Sequence, residues 1–518
     1  MMSSRIRLVI AVLTVGWVLG SAACGPYLPP TTVPALTVPS PELESFRAAL
    51  KTYVDLTQPF RKEAATKGDA APNQTTSPND AEIAIRLRQR TLAESIRTKV
   101  RPTAHQGEIF PPPVADLIRQ RIAAAFRGPT VDLIRDGLQE QTEGLKDAPP
   151  TLAINQIVTV PRVPPLLLES LPQLPEQVEF DFSGRALILR DVDADLVVDF
   201  IPLAFPEPTP AGSVPPPSRP GGTDAPDRFL PLPDVSGATI FALIGDSGTG
   251  DQAQKDVANA MLRYFTTARR FSFVLMLGDN LYGDDYTREF SVPYQGLLES
   301  GVIFYATLGN HDRDLEQHYK PFHMADRDYF TFLEGNARFV VLNSNHPRDQ
   351  AQLAWLDTAF GNTGTKWRIS FFHHPLYSSG DHAQESRHVI RPALEPALVR
   401  NRVDVVFSGH DHLYERIAPQ QGIRYFVSGG GGRNLYDFHK SAFDEVGSSE
   451  HHFMVVEIAG DQMFFEAITP QGRTLDCGVL WRTADAAAKP PDGATSAWQD
   501  ACRVATAPRS APRLSERR

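Results

Sequence analysis

Short apolar runs recur through the second half of the chain, each closed by glycine or a cluster of polar residues. Thr239–Ile244, Phe273–Leu277, Val302–Leu308, Phe339–Leu342, Ile369–Phe372 and Val403–Phe407 have the length and composition of buried strands. Helical periodicity fills several of the gaps, at 252–265 and 349–360. Strands alternating with helices predict an α/β layer architecture over about 234–483. The first half reads differently. Residues 79–100 place Ile83, Leu87, Leu92, Ile96 and Val100 near helical spacing. Pro113 opens a second helix carrying Val114, Leu117, Ile118, Ile122 and Phe126, and Gly128-Pro129 ends it. In 177–203, Val178, Phe180 and Phe182 alternate, Ser183-Gly184 turns, Ala186–Leu189 returns and Leu196–Ile201 adds a third strand.

These patterns divide the chain. Between Pro206 and Pro226, 8 of 21 residues are proline, which sets a semi-rigid linker over 204–233. The helical and β region before it, 79–203, reads as an accessory unit. The Pro- and Thr-rich stretch from residue 24, taken to 78, reads as a flexible tether, and 484–518 as a disordered tail. The arginines at 86, 88, 90, 97, 101, 119 and 121 read as solvated helix faces.

The N-terminus changes the compartment. Arg5 and Arg7 precede an apolar run, Leu8–Leu19, that is too short for a spanning helix. Small residues at 20–23 then lead into Cys24. This resembles a bacterial lipoprotein signal over 1–23, with Cys24 as the lipidated first residue and a periplasmic or cell-surface location. Cys477 and Cys502 remain as candidates for a disulfide that pins the tail to the last strands. The 51 basic and 61 acidic residues give a net charge of -10, which argues against nucleic acid as a partner.

Five of the apolar runs end in metal-capable residues: Gly245-Asp246-Ser247-Gly248, Gly278-Asp279-Asn280-Leu281-Tyr282, Gly309-Asn310-His311-Asp312, His373-His374-Pro375 and Gly409-His410-Asp411-His412. Ligands of α/β sheets bind beyond the carboxyl ends of strands, so the five segments can converge. Asp, Asn, His and Tyr donors without thiolates suit Fe, Mn or Zn. A carboxylate can bridge two such cations, and paired metals clamp both oxygens of a phosphoryl displacement.

This ordered set resembles the calcineurin-like metallophosphoesterases. Its second motif, with Tyr282, is similar to that of purple acid phosphatases of the compact tartrate-resistant type. Ser408-Gly409-His410-Asp411-His412 and Ser428-Gly429-Gly430-Gly431 extend the resemblance over about 236–470. The resemblance implies a layered β-sandwich flanked by helices. It implies a first metal site of Asp246, Asp279, Tyr282 and His412, and a second of Asp279, Asn310, His373 and His410. The metals would be Fe(III) plus divalent Fe, Zn or Mn. His311 and His382 match catalytic positions, His374 reads as a neighbour of the ligands, and His388 is a weaker catalytic candidate. The implied activity is hydrolysis of small phosphate monoesters by metal-activated hydroxide. A diesterase or nucleotidase of the same superfamily, or a tethered metal-containing binding protein, are the alternatives.

Overall fold

The computed structural model describes residues 40–69, 77–128, 130–142, 150–206, 229–361, 364–482 and 493–506. The signal, Cys24 and most of the Pro-rich linker lie outside the described residues. The N-terminal region begins with α1 (Pro41–Asp69) and α2 (Pro78–Ser95), the latter continued by a π-helical turn at Ile96–Val100. Then come α3 (Pro112–Ala125), α4 (Val131–Thr142) and the short α5 (Pro165–Leu168). A three-stranded antiparallel sheet follows: β1 (Val178–Ser183), β2 (Ala186–Asp191) and β3 (Leu196–Ile201). Phe46, Phe110, Ile118, Phe180 and Leu189 share its core.

Two expectations change here. The tether expected over 24–78 contains the 29-residue α1. Leu43, Phe46, Leu50 and Tyr53 recur every three to four residues and are all buried, and Pro41 stands in its first turn, where its missing N–H costs nothing. α2 is turned relative to the face read from sequence. Ala81, Ile85, Leu92 and Ile96 are buried, while Ile83 and Leu87 are exposed, because Ala81 and Ile85 dock on the core of the following domain. Several arginines are clamps rather than solvated groups. Arg101 is buried and donates to the Val198 carbonyl at 2.8 Å, Arg97 donates to Asn155 at 2.8 Å, and Arg86 donates to the carbonyl of Asp284.

The second domain runs β4 (Thr239–Ile244), α6 (Gln252–Thr267), β5 (Phe273–Met276), α7 (Gln295–Glu299), β6 (Ile303–Ala306), β7 (Phe330–Glu334), β8 (Ala337–Val341), α8 (Gln350–Ala359), β9 (Trp367–Phe371), α9 (Ala383–Glu385), α10 (Arg391–Arg400) and β10 (Val405–Ser408). It continues through β11 (Tyr414–Gln420), β12 (Ile423–Ser428), β13 (Asp444–Ser448), β14 (Phe453–Ala459), β15 (Gln462–Ile468) and β16 (Thr474–Trp481) to α11 (Gly493–Ala505). One sheet has the order β16-β15-β14-β4-β5-β6, and the other β13-β11-β12-β10-β9-β8-β7. Their inner faces meet through aromatic residues: Phe241 of β4 packs edge-on to Phe339 of β8 at 5.4 Å and to Phe407 of β10 at 6.3 Å. α6 covers the six-stranded sheet, with Tyr264 against Phe453 at 6.1 Å. Leu356 of α8 and Leu394 of α10 pack with Val340 and Val406 on the other sheet. The result is a mixed α/β sandwich in four layers.

The tail expected to be disordered forms α11 at 493–505. Cys502 bonds to Cys477 of β16, and Trp498 packs on Phe464 and donates to the Gly478 carbonyl at 3.0 Å. The N-terminal region also packs directly on the second domain. Arg162 donates to Asp314 at 2.6 Å, and Thr159 donates to Asp284 at 3.0 Å.

Candidate metal centre

β4–β5–β6 are mutually parallel in one sheet, and β9–β10 in the other. Their carboxyl ends carry the five motif loops. Asp246 follows β4, Asp279 and Tyr282 follow β5, Asn310 and His311 follow β6, His373 and His374 follow β9, and His410 and His412 follow β10. Each sheet therefore supplies one side of the cluster. Three of these residues sit in the left-handed region: Asp246 at φ 57°, Asp279 at 50° and His410 at 69°. Such non-glycine conformations cost on the order of 1–3 kcal/mol each and cluster at functional sites. Hydrogen bonds hold them there. Asp246 accepts from the His410 main-chain N–H at 2.9 Å, Asp279 accepts from that of His311 at 3.0 Å, and the Asp246 N–H donates to Gly278 at 3.0 Å. Gly278 itself has φ 91°, and a Cβ there would strike the His373 ring.

The seven residues expected to bind metal come together in two groups. In the first, ligand atoms of Asp246, Asp279 and His412 lie within 4.8 Å of one another. His412 Nε2 is 3.5 Å from Asp246 Oδ1 and 3.4 Å from the Tyr282 hydroxyl. Its Nδ1 bonds to the Asn434 carbonyl at 2.7 Å, which puts the proton on Nδ1 and leaves the Nε2 lone pair facing the cluster. In the second, His373 Nε2 lies 2.7 Å from Asn310 Oδ1, 3.2 Å from His410 Nδ1 and 3.4 Å from Asp279 Oδ1. His373 Nδ1 donates to Leu277 at 2.9 Å, and His410 Nε2 meets Glu385 at 3.1 Å. Both imidazoles thus turn a ring nitrogen inward; burial disfavours charge on His373, but Asp279 and Asp246 outweigh it and raise its pKa.

The donor set fits cations. Asp279 Oδ2 is buried with no hydrogen-bond partner among the described residues, although Oδ1 takes the His311 N–H. A carboxylate oxygen so placed is costly unless a cation meets it. The charges agree. Burial pushes Asp246 well above the carboxylate range, with Asp279 adding to the shift. Burial also raises Asp279, but His373 and His311 outweigh it and hold the group at about 2. Burial lowers His412 and His311 to about 4, and His410 and His374 far below their usual value. His412 and His410 are therefore neutral, as metal ligands must be.

His374 Nδ1 pairs with Ser344 at 2.8 Å, but its Nε2 is buried with no hydrogen-bond partner among the described residues and groups with His373 and His410, so the structure places it with the ligand set and not merely beside it. His311 packs on Tyr282 at 4.7 Å. His382 lies over His410 at 4.1 Å, and its N–H donates to Asp411 at 3.0 Å. His388 is exposed. Sequence reading missed the carboxylates that frame the centre. Asp312 ties the Asp279 and Asn310 loops together, accepting from the N–H groups of Asn280, Leu281 and Gly309. Glu385 orients His410. Glu140 of α4 enters from the N-terminal region and accepts from Asn310 Nδ2 at 2.9 Å. Asp312 had a signal, since it stands in the third motif. A glutamate on the polar face of an amphipathic helix, such as Glu140, has none.

Residues 240–414, about a third of the chain, match the family model for calcineurin-like phosphoesterases. The chain is also similar to purple acid phosphatases. It is 26% identical to a purple acid phosphatase of Glycine max over 226 residues, 38% of this chain and 47% of that protein. It is 28% identical to the Fe(3+)-Zn(2+) purple acid phosphatase 12 of Arabidopsis thaliana over 230 residues, 38% of this chain and 48% of that protein. Among solved structures, purple acid phosphatase PPD1 from yellow lupin (Lupinus luteus) seeds aligns with a TM-score of 0.41 and 17% identity, over 48% of this chain and 55% of that one. The chain spans about half the length of these curated relatives.

Proposed function

We propose that this chain is a dinuclear-metal phosphatase that hydrolyses small phosphate monoesters. The observation that carries the reading is Asp279, which groups with Asp246 and His412, stands 3.4 Å from His373 Nε2, and has an Oδ2 that is buried with no hydrogen-bond partner among the described residues. Asp246, Tyr282 and His412 would hold one metal, and Asn310, His373 and His410 the other, with Asp279 common to both. Bound there, the metals supply Lewis acidity toward the phosphoryl oxygens and toward water. The chain's own part is positioning and proton handling. Burial disfavours charge on His382, but Glu140 and Asp411 outweigh it and raise its pKa to about 9. A protonated His382 would be suited to contact phosphate oxygens or to protonate a departing alkoxide. Burial keeps His311 neutral, so of the two it is the less suited to donate a proton.

The test compares an aryl phosphate monoester with the matching diester across acidic to neutral pH. Monoester turnover favouring acid supports the reading. Diester preference would move the chain to the phosphodiesterase branch, and turnover of neither, with metals present, to a binding role. Tyr282 supports a ferric ion in the first site, because a tyrosinate bound to Fe(III) gives a visible charge-transfer band. Tyr282→Phe should abolish that band; an unchanged band would contradict the assignment. We also propose export with lipid anchoring at Cys24, which rests on residues 1–24 alone. Cys24→Ser should then release the protein from the detergent phase into the aqueous phase. Among the described residues, no helix is long and apolar enough to cross a membrane.

A further inference from the structure

An acidic side chain of the N-terminal region, Glu140, reaches the metal centre. Glu140 lies near the end of α4, and its side chain is only 9% exposed. Oε1 accepts from Asn310 Nδ2 at 2.9 Å and stands 3.6 Å from His410 Nδ1 and 3.9 Å from His311 Nε2. Oε2 stands 3.9 Å from His382 Nδ1. One carboxylate therefore faces two donors of the second metal group and both histidines that flank the centre. Those are the groups a substrate phosphate must meet. A carboxylate offers the same negative charge and paired acceptor oxygens as one edge of a phosphate. The two cannot share the position, because both would need the same donors.

α4 is lightly held. Of its 12 residues only Ile134 and Gln141 are buried, whereas α3 buries five of 14. Gly137 packs closely against Pro164, just before α5, and Ile134 and Leu138 pack on the core of the N-terminal region. The Asn310 and His410 loops, by contrast, continue directly from core strands.

We propose that Glu140 is a built-in competitor for the substrate phosphate, and that α4 is a displaceable cover over the metal centre. The N-terminal region then regulates the site: substrate enters when α4 withdraws its carboxylate. This rests on the phosphatase reading above.

The experiment uses the full metal-loaded chain and inorganic phosphate as the probe. Calorimetry on wild type, Glu140→Gln and Glu140→Ala should show phosphate binding at least tenfold tighter in the variants, with metal content unchanged. Hydrogen exchange on the wild type should show amides of 131–142 exchanging faster when phosphate is added. Equal or weaker phosphate binding in both variants overturns the proposal. Loss of metal from them also overturns it, by making Glu140 a ligand, and so does slower or unchanged exchange in α4. A wild-type chain that holds no metals and turns over no phosphate ester would instead remove the phosphatase reading itself.

Discussion

Replacing Asp312 with asparagine should damage the centre without touching a metal donor. The Asp312 carboxylate is fully buried. One oxygen accepts from the N–H groups of Asn280 at 2.6 Å and Leu281 at 3.0 Å. The other accepts from the Gly309 N–H and from Asn280 Nδ2, both at 2.7 Å. An amide must point its NH2 at one of these pairs, so two donors lose their acceptor and face new hydrogens. A hydrogen bond to a charged group contributes about 1.5–3 kcal/mol, giving a gross loss of about 3–6 kcal/mol. Burial, reinforced by the Asp279 charge, raises the Asp312 pKa to about 7, so its ionisation is itself costly and part of the loss is offset. The net destabilisation expected at pH 8 is about 2–4 kcal/mol. For a domain of this size that lowers Tm by roughly 5–10 °C. Because Asp312 joins the loops of Asp279 and Asn310, metal retention should fall with it. Thermal unfolding at pH 8 and elemental analysis of Asp312→Asn read the two effects. An unchanged Tm with full metal content would refute the reasoning that this carboxylate assembles the centre.

Two further outcomes follow from groups away from the metals. Glu466 of β15 is buried and accepts from the Thr474 hydroxyl at 2.5 Å, and burial raises its pKa from 4.5 to about 8. The folded state therefore holds a proton that the unfolded state releases, so stability falls as pH rises from about 4.5 to about 8. Between pH 5 and 9 this group removes about 4 kcal/mol, and Glu466→Gln should flatten that slope in denaturant titrations. An identical slope in the variant would be the contrary result. The Cys477–Cys502 bridge closes a loop with a sequence separation of 25. Chain-entropy arithmetic gives about 3–4 kcal/mol for such a loop. Cys502→Ser should lower the denaturant midpoint and speed proteolysis within α11, and unaltered proteolysis there would count against a docked tail.

The strands and their loops were readable because two local signals coincide. A short apolar run specifies a buried strand, and glycine with a metal-capable residue at its end specifies a sharp turn into a site. Asp246, Asp279, Asn310, His373 and His410 are all of this kind. α1 was hidden because a Pro- and Thr-rich lead-in and the internal Pro59 masked its regular Leu43, Phe46, Leu50 and Tyr53 spacing. The buried face of α2 depends on which surface it meets: helical spacing alone points Ile83 and Leu87 inward, whereas docking through Ala81 and Ile85 leaves them outside. Glu140 and Glu385 reach the centre only through tertiary packing. Their helices show nothing, residue by residue, that separates them from solvated acids. The order of the tail is hidden for a related reason: α11 is held by Cys502 and Trp498, two contacts made at long range.

The most direct test of the account is the metal stoichiometry of the purified wild type and of Asp279→Asn, measured by elemental analysis. Two metals per chain in the wild type, with both lost from the variant, is the expected result, since Asp279 belongs to both groups. A variant that retains two metals would contradict the shared-carboxylate centre on which the proposed function stands.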